Sequence, residues 1–483
     1  MKSWFLVLPL LALAAGPANA QFGFGGLSAE DERKLAAEQH PELVREHGGV
    51  YTERQLDEYL VQIGLTMVPH AGEKQEWRFT LLDSPMVNAF ATTAGHVYLT
   101  RGIFALANTE AEIAGVTGHE MGHITAHHIS KKIGKSQTAQ IGAGLLGVLG
   151  TILGGESIGQ MAGQAASAGG ALWLQKFSRE EETEADTIGL QTISSTGYAA
   201  EAMASFMQSL NDYSALEARK SGKPGGEAEF SLLQSHPRTV DRIQQLQRQV
   251  ARPTANPVWR RDAYLDRIDG IMYGDSPDQG FIKDRVFAHP SLRITFTAPA
   301  GFKLMNSSGA VMGSGGNGIA MRFDSDPKKG GGLAPAEYLT RVWAVKTPLQ
   351  NVERITINGM PAATGRATGQ SQSGGQVQLR FVAIQAPGAM YRFLFQAPAN
   401  QAGRLEPEFI KTANSFRGIS AQEANAWKPL RVRVVPVNAG DTEEKFAARM
   451  PFGKWNLDEF RVLNGLRTGE KIAAGQRVKI VSE

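Results

Sequence analysis

The chain has 483 residues, of which 42% are hydrophobic and 20% are charged, a composition that is typical of globular proteins and excludes wholesale disorder. At about 150 residues per domain, this length predicts roughly three domains. The 50 lysines and arginines nearly balance the 47 aspartates and glutamates, so the charge gives no reason to expect nucleic-acid binding. Cysteine is absent, which excludes disulfides, thiolate metal sites and a cysteine nucleophile.

The first twenty residues have the organisation of a cleavable signal peptide. Lys2 precedes an apolar run from Trp4 to Ala15, and Ala18-Asn19-Ala20 forms an A-x-A cleavage site. The apolar run is too short for a membrane-spanning helix. We therefore predict a signal peptide at residues 1–20 and export of the mature chain to the periplasm. The alternative is an uncleaved membrane anchor.

Three compositional zones follow the predicted signal peptide. The first has apolar side chains at three- and four-residue spacing, which predicts helices. The second alternates apolar and polar residues between Gly- and Pro-rich turns, which predicts strands, and it has helix-like stretches near 335–345 and 406–414. The predicted units are residues 21–250, a mainly helical domain; 251–283, a linker; 284–420, an α+β domain; and 430–483, a small final module.

One segment of the helical zone is unusually apolar. Ile141–Gly155 has no charged residue, but it is shorter than the ~20 residues of a membrane span and it is rich in glycine. We predict an internal, packed element. The alternative is a surface that contacts membrane or substrate.

The strongest chemical signal is the sequence GHEMGH, in which His119 and His123 are four residues apart. Thr109 and Glu112 match a capping box that begins a helix upstream, so the motif is predicted to be helical. The two imidazoles then share one face and can bind one metal ion, while Glu120 is rotated by about 100° and can accept a proton from water at the metal. Hydrolysis of a peptide bond by a zinc centre requires this arrangement.

A catalytic zinc needs a third protein ligand. His127 lies two turns after His119 on a continuous helix, about 12 Å away, and is too distant to share the site. A better candidate lies in the run SREEETEAD, which Ser178 begins as a second capping box. Because Glu182 and Asp186 are one turn apart, one carboxylate can bind zinc while the other accepts the free N–H of a ligating imidazole. The remaining acidic residues fit a solvated helix start: Glu180, Glu181 and Glu184.

The combination of HExxH with SRxxExxAD resembles the gluzincin metalloproteases that include the CAAX prenyl endopeptidases, HtpX and the exported BepA-like proteases. The resemblance covers residues 30–250, and without a predicted membrane span the chain is most similar to the exported branch. It implies one Zn²⁺ per chain. It also implies the following roles: His119, His123 and Glu182 as zinc ligands, Glu120 as general base, and Asp186 as the acid behind a ligand.

A downstream run, Ser235-His236-Pro237 with Arg242, resembles a further signature of the same family and implies that Arg242 supports the site from outside the ligand set. Pro237 suits a first helical turn, so His236 is predicted at a helix entrance near the zinc cleft. There it could stabilise the oxyanion of the tetrahedral intermediate, or occupy the fourth zinc position and keep the enzyme latent. The alternative is a helix-capping residue without a catalytic role.

Two further predictions concern the neighbourhood of the motif. Val97–Leu99 is a candidate edge strand that would pair with an extended substrate, and packing is predicted for the adjacent His96. His127 and His128 are predicted to lie on the surface or behind the zinc ligands.

The final module contains NAGDT at Asn438–Thr442, NGL at Asn464–Leu466 and a terminal strand at Gly475–Ile480. These features resemble a LysM domain of βααβ topology, which implies binding of N-acetylglucosamine-containing glycans. The alternative is a packing domain without a ligand. The α+β domain resembles PsbP-like folds at Ile294–Phe296 and Ala413–Phe416 and shows no catalytic set.

The sequence thus predicts a multidomain, exported zinc metalloendopeptidase. Its expected architecture is a mainly α-helical, zincin-like domain with a small sheet, then an α+β domain and a βααβ, LysM-like module. The resemblance implies polypeptide substrates of the cell envelope, above all misfolded or misassembled ones, and a possible contact with the membrane periphery or with outer-membrane assembly. Two alternatives stay open. One is a peptidoglycan-cleaving enzyme that the LysM-like module anchors, and the other is a chaperone or assembly factor with weak proteolysis.

Overall fold

The computed structural model describes residues 28–72, 75–133, 177–222, 236, 240–249, 256–327, 332–371, 375–467 and 469–483. The predicted signal peptide, the apolar segment Ile141–Gly155 and Pro237 lie outside these residues. Within the described ranges, no helix is both long enough and apolar enough to cross a membrane.

The helices and strands fall into three zones along the chain. The helices are α1 (Ala29–Glu46), α2 (Leu56–Met67), α3 (Arg101–Leu106), α4 (Glu110–Thr125), α5 (Arg179–Ser195), α6 (Glu201–Lys220), α7 (Val240–Gln249), α8 (Arg261–Ile268), α9 (Pro335–Tyr338), α10 (Ala399–Asn414), α11 (Ala421–Asn425), α12 (Glu443–Ala447) and α13 (Asn456–Leu463). The strands are β1 (Arg78–Leu82), β2 (Ala89–Ala91), β3 (His96–Thr100), β4 (Met272–Tyr273), β5 (Phe281–Lys283), β6 (Val286–His289), β7 (Ile294–Thr297), β8 (Lys303–Asn306), β9 (Val311–Gly316), β10 (Ile319–Asp326), β11 (Gln350–Ile357), β12 (Met360–Gln370), β13 (Gln376–Ala386), β14 (Ala389–Pro398), β15 (Arg417–Gly418), β16 (Leu430–Pro436) and β17 (Arg477–Ser482). Residues 128–133 are also helical.

A three-stranded sheet packs beside the helices of the first zone, in the order β1-β3-β2. Strand β3 pairs in parallel with β1 and antiparallel with β2. Val97–Leu99 therefore lies in the central strand, and the prediction that it is an edge strand for substrate is wrong. Its apolar side chains are fully buried, as in strands covered on both faces. His96 is buried as well, with Nδ1 3.3 Å from the hydroxyl of Tyr98.

Helix α4 begins where the sequence predicts, with a variation in its cap. The Thr109 hydroxyl accepts the backbone N–H of Glu112 at 3.1 Å, which is half of the predicted capping box. The Glu112 carboxylate accepts from the backbone N–H of Asn108 instead of Thr109, at 2.5 Å. In α5 both halves of the capping box between Ser178 and Glu181 are present. Local side-chain hydrogen bonds therefore fix the first turn of both helices.

Glycines allow α4 and α5 to pack backbone to backbone. A Cβ atom added at Gly122 would lie 2.5 Å from the carbonyl oxygen of Ala185, and one at Gly189 would lie 2.9 Å from the carbonyl oxygen of Gly118. Helix α4 is buried over almost its whole length. The close approach brings the acidic face of α5 against the histidines of α4.

The prediction of a linker at residues 251–283 is wrong for its described part. Helix α8 buries Tyr264, Leu265 and Ile268 in the same hydrophobic cluster as the first zone. Strand β4 joins a sheet with β16 and β17. The Pro-rich start of this range suggested a linker, but the apolar spacing of α8 is that of a helix with one buried face.

The α+β zone contains an antiparallel seven-stranded sheet in the order β11-β12-β13-β14-β10-β9-β8. Helix α10 packs on this sheet, where Phe409 stacks on Phe395 with ring centroids 4.7 Å apart. A smaller sheet in the order β15-β7-β6-β5 completes the zone. Both predicted helix-like stretches are helical. The first is α9 with a π-helical turn at Leu339–Trp343, and the second is the end of α10, which begins at Ala399.

The last zone runs strand, helix, helix, strand, and its terminal strands β16 and β17 pair antiparallel. It is anchored to the first zone by Lys479, which is fully buried. The Lys479 ammonium donates to the backbone carbonyls of Ala105, Leu106 and Ala107 at 2.8, 3.0 and 2.6 Å. These carbonyls end α3 and lead into α4, so the final module caps the element before the HExxH helix.

Candidate metal centre

Four side chains from three separate parts of the chain converge on one buried point. His119 and His123 come from α4, Glu182 comes from α5, and His236 comes from the segment before α7. Their potential ligand atoms all lie within 4.8 Å of one another. Each of the four residues is less than a tenth exposed.

The spacing of the donor atoms fits a tetrahedral ion. Nε2 of His119 lies 3.1 Å from Nε2 of His123, which lies 3.4 Å from Oε1 of Glu182. Ligand atoms bound to zinc at about 2.0–2.2 Å in tetrahedral geometry lie about 3.3–3.6 Å apart. Two imidazoles and one carboxylate are also a donor set that catalytic zinc uses. The residues present therefore fit this metal.

Asp186 and Arg242 lie behind the first histidine. Nδ1 of His119 lies 2.8 Å from Oδ1 of Asp186. Arg242 donates to both oxygens of the same carboxylate, from Nη2 to Oδ1 and from Nε to Oδ2. Burial alone would raise the pKa of Asp186, but hydrogen bonds from His119 and Arg242 hold it below its ordinary value. The carboxylate is thus kept charged, and it fixes His119 in the tautomer whose Nε2 faces the other donors.

Glu120 is adjacent to this cluster and is only 1% exposed. Its Oε1 has no hydrogen-bond partner in the part of the chain that the structure describes, and it lies 3.7 Å from Nε2 of His236. Burial raises the pKa of the Glu120 carboxyl, and His236 and His119 oppose this only in part. A buried carboxylate with an unmatched oxygen and a raised pKa is suited to accept a proton near neutral pH.

His236 joins the predicted ligands directly. Its Nδ1 lies 2.9 Å from Oε1 of Glu182 and 3.2 Å from Nε2 of both His119 and His123. Nδ1 of His236 is therefore in direct contact with all three predicted ligands. The structure therefore brings His236 into the cluster, where residue patterns alone left several roles open.

Sequence reasoning missed Phe177, which covers the second histidine. Its ring stacks on His123 with centroids 3.9 Å apart and a 28° interplanar angle, and the Lys132 ammonium lies 3.5 Å from its centroid. Phe177 directly precedes the N-cap residue of α5, the position from which an apolar residue commonly packs back on its helix. That local signal could have singled it out.

The sequence predicts Glu184 as part of a solvated helix start, and its side chain is indeed 57% exposed, but it also contacts a buried histidine. Its Oε2 lies 3.1 Å from Nε2 of His128, whose Nδ1 lies 3.0 Å from Nδ1 of His123. His128 is buried behind the second histidine, one of the two positions predicted for it. Glu184 is therefore connected to the metal ligand His123 through His128.

Comparison with solved structures gives only weak likenesses. The cyanobacterial PsbP of Synechocystis sp. PCC 6803 is 12% identical, covering 30% of this chain and 98% of that protein with a TM-score of 0.24. LpqN of Mycobacterium tuberculosis, described as involved in cell envelope biogenesis, is 13% identical, covering 26% and 83% of the two chains with a TM-score of 0.20. Scores this low establish no shared fold, so the PsbP-like assignment stays a prediction.

Comparison with curated proteins is more informative. The chain is 30% identical over 192 residues to the beta-barrel assembly-enhancing protease of Escherichia coli (strain K12), covering 39% of this chain and 37% of that protein. It is 29% identical over 217 residues to the putative beta-barrel assembly-enhancing protease of Vibrio cholerae, covering 44% and 43%. It is 32% identical over 162 residues to the mitochondrial metalloendopeptidase OMA1 of Arabidopsis thaliana, covering 33% and 29%. The chain thus covers less than half the length of each of these relatives.

The model of Peptidase family M48 matches residues 54–250. This range contains the four converging side chains as well as Glu120, Asp186 and Arg242. The relatives align over a similar length of chain. Residues 54–250 are therefore a peptidase family M48 domain.

Proposed function

We propose that this chain is a zinc-dependent metalloendopeptidase that hydrolyses peptide bonds of cell-envelope proteins. The observation that carries the proposal is the convergence of His119, His123 and Glu182 on one buried point, with Glu120 beside it. The M48 domain and the metalloendopeptidase relatives support the same chemistry.

The mechanism divides the work among these residues. Zinc held by the two imidazoles and Glu182 would polarise the scissile carbonyl and lower the pKa of the attacking water. Glu120 takes a proton from that water and delivers it to the leaving amine, a task that its raised pKa favours. Asp186 keeps Nδ1 of His119 protonated, so that Nε2 is available as a ligand. Arg242 holds Asp186 in position.

We also propose that His236 keeps the resting protein latent. Its Nδ1 lies among the donor atoms of the other three ligands, in the position of a fourth ligand. A substrate would have to displace this imidazole to reach the metal. The other role considered, donation to the oxyanion, requires the ring to leave the cluster and turn an N–H towards the substrate.

The proposed substrates are misfolded or misassembled polypeptides of the cell envelope. Relatives named for enhancement of beta-barrel assembly support this substrate class. The signal-like pattern of residues 1–20 supports export to the periplasm, where such polypeptides occur. Glycan binding by the final module would add a contact with peptidoglycan.

Two substrates separate this function from its alternatives. The purified mature chain would be incubated with casein, an unfolded polypeptide, and with purified sacculi, each with and without a metal chelator. We expect casein fragments that disappear with the chelator and no release of peptidoglycan fragments. Cleavage of sacculi alone would support the cell-wall enzyme. If the zinc-loaded wild type and the His236→Ala variant both leave casein intact, proteolysis is refuted and the chaperone hypothesis is favoured.

A further inference from the structure

His123 also has a hydrogen bond at the ring nitrogen that faces away from the other metal ligands. Its Nδ1 lies 3.0 Å from Nδ1 of His128, and Nε2 of His128 lies 3.1 Å from Oε2 of Glu184. The two imidazole rings meet edge to face with centroids 5.1 Å apart. The His128 side chain is 2% exposed, whereas that of Glu184 is 57% exposed. A buried imidazole thus links a ligand to a carboxylate at the surface.

The backbone turn after α4 makes this contact possible. Five positions along a continuous helix would place two rings roughly 140° apart around the axis. Helix α4 ends instead at Thr125, and His127 has a φ of 55°, in the left-handed region that residues other than glycine rarely adopt. The chain changes direction there and becomes helical again from His128. The turn therefore brings the ring of His128 back to His123.

One arrangement of neutral imidazoles satisfies all of these contacts. Nε2 of His123 faces the other ligand atoms and must present its lone pair, so Nδ1 carries the hydrogen. That N–H donates to Nδ1 of His128. Nε2 of His128 then carries the hydrogen and donates to Glu184. The chain of contacts defines both the tautomer and the ring orientation of His123.

We propose that His128 and Glu184 are positioning residues that orient the second imidazole ligand, as Asp186 orients the first. The inference rests on the proposed metal centre and deepens it. Helix α5 then supplies three carboxylates to one site, since Glu182 faces the donor cluster while Asp186 and Glu184 fix the two histidines. Partners of this kind typically change metal affinity by about 10–100-fold when they are removed.

The experiment measures zinc affinity of the full chain by competition with a chromophoric chelator. His128→Phe fills the space but accepts no hydrogen bond, and we expect about 10–100-fold weaker zinc binding. His128→Gln retains an acceptor and a donor in its amide, and we expect most of the affinity to return. Glu184→Gln keeps an acceptor but loses the charge, so a smaller, several-fold loss is expected.

Glu180→Gln is the matched control. It removes the same charge one turn earlier on the same helix, at an exposed position, and it should leave the zinc affinity unchanged. A second readout is the visible absorption spectrum of the Co²⁺-loaded chain. The spectrum should change in His128→Phe and stay the same in the control.

Affinities of His128→Phe and Glu184→Gln within twofold of the control would overturn the inference. If His128→Phe does not fold, the zinc affinities of Glu184→Gln and Glu180→Gln are compared instead. Both side chains are exposed, so neither substitution should prevent folding. A His128→Gln variant as weak as His128→Phe would also contradict the inference. Failure of the proposed function is distinguishable, since a wild type that binds zinc tightly but cleaves nothing contradicts proteolysis alone.

Discussion

Arg242 contacts both carboxylate oxygens of Asp186, with Nε to Oδ2 and Nη2 to Oδ1 distances of 2.8 Å. The same guanidinium forms an ion pair with Glu182. All three side chains are buried, so the planar cation balances two carboxylates that would otherwise be costly to remove from water. The contact joins α7 to α5 and holds the carboxylate face of the metal centre in place.

Glu182 and Asp186 should respond differently to substitution. Glu182→Ala should lose both metal and activity, because two imidazoles alone hold zinc weakly at micromolar metal. Asp186→Asn should lose about 10–100-fold in zinc affinity or rate, as changes behind a ligand do. Zinc content after dialysis and the rate of casein cleavage measure both effects. Unchanged zinc content in Glu182→Ala would remove that residue from the ligand set.

The two roles of His236 predict opposite outcomes for His236→Ala. Removal of a blocking ligand should raise basal proteolysis, visible as faster casein cleavage or self-cleavage, and this is the result we expect. Removal of an oxyanion donor should lower turnover by about 10²-fold or more. The measurement is the initial rate at matched zinc content. A rate and a zinc content equal to those of wild type would contradict both roles.

Gly122 should not tolerate a side chain. In Gly122→Ala the new Cβ would lie 2.5 Å from the carbonyl oxygen of Ala185 and force α4 and α5 apart. Overpacking of this kind costs about 1–3 kcal/mol, and the separation would weaken zinc binding as well. Gly403→Ala is the control, since it lies on α10 with no atom within 4 Å of the added Cβ. Equal unfolding midpoints in urea for the two variants would contradict the close packing.

Lys479 should stabilise the contact between the final module and the M48 domain. Lys479→Met removes the donor that the carbonyls of Ala105, Leu106 and Ala107 share. The Leu106 carbonyl still accepts from the side-chain amide of Asn108, and the loss at the other two costs about 1–3 kcal/mol of unfolding free energy. Lys471→Met, at an exposed position of the same module, is the control and should be neutral. Urea denaturation compares the two. A Lys479→Met variant as stable as the control would show that the docking does not depend on this residue.

The parts of the site that the sequence predicted are those set by local geometry. Side-chain caps at Thr109 and Ser178 can be recognised from the sequence alone, so the starts of α4 and α5 could be predicted. The four-residue spacing within each helix also predicted that His119 faces the same way as His123, and Glu182 the same way as Asp186. The contact of His128 with His123 could not, because it depends on the left-handed backbone at His127. Resemblance to a family, rather than residue chemistry, singled out Arg242.

The sequence did not predict those parts of the fold in which contacts with distant elements override the local sequence pattern. A lysine in a strand is normally expected to be exposed to solvent. Lys479 is buried because the carbonyls at the end of α3 accept hydrogen bonds from its ammonium, a contact that the sequence does not reveal. The Pro-rich run before Pro257 similarly suggested a linker, whereas Leu265 on α8 lies in the first core. The central place of β3 in its sheet also depends on which strands flank it.

The most direct test of the account is a comparison of Glu120→Gln with wild type at equal zinc content. Glu120 is the proposed general base and not a ligand, so the variant should bind zinc as wild type does. Its rate of casein cleavage should fall by about 10²–10⁴-fold, the usual contribution of general acid–base catalysis. A Glu120→Gln variant that retains zinc and cleaves casein at the wild-type rate would contradict the account.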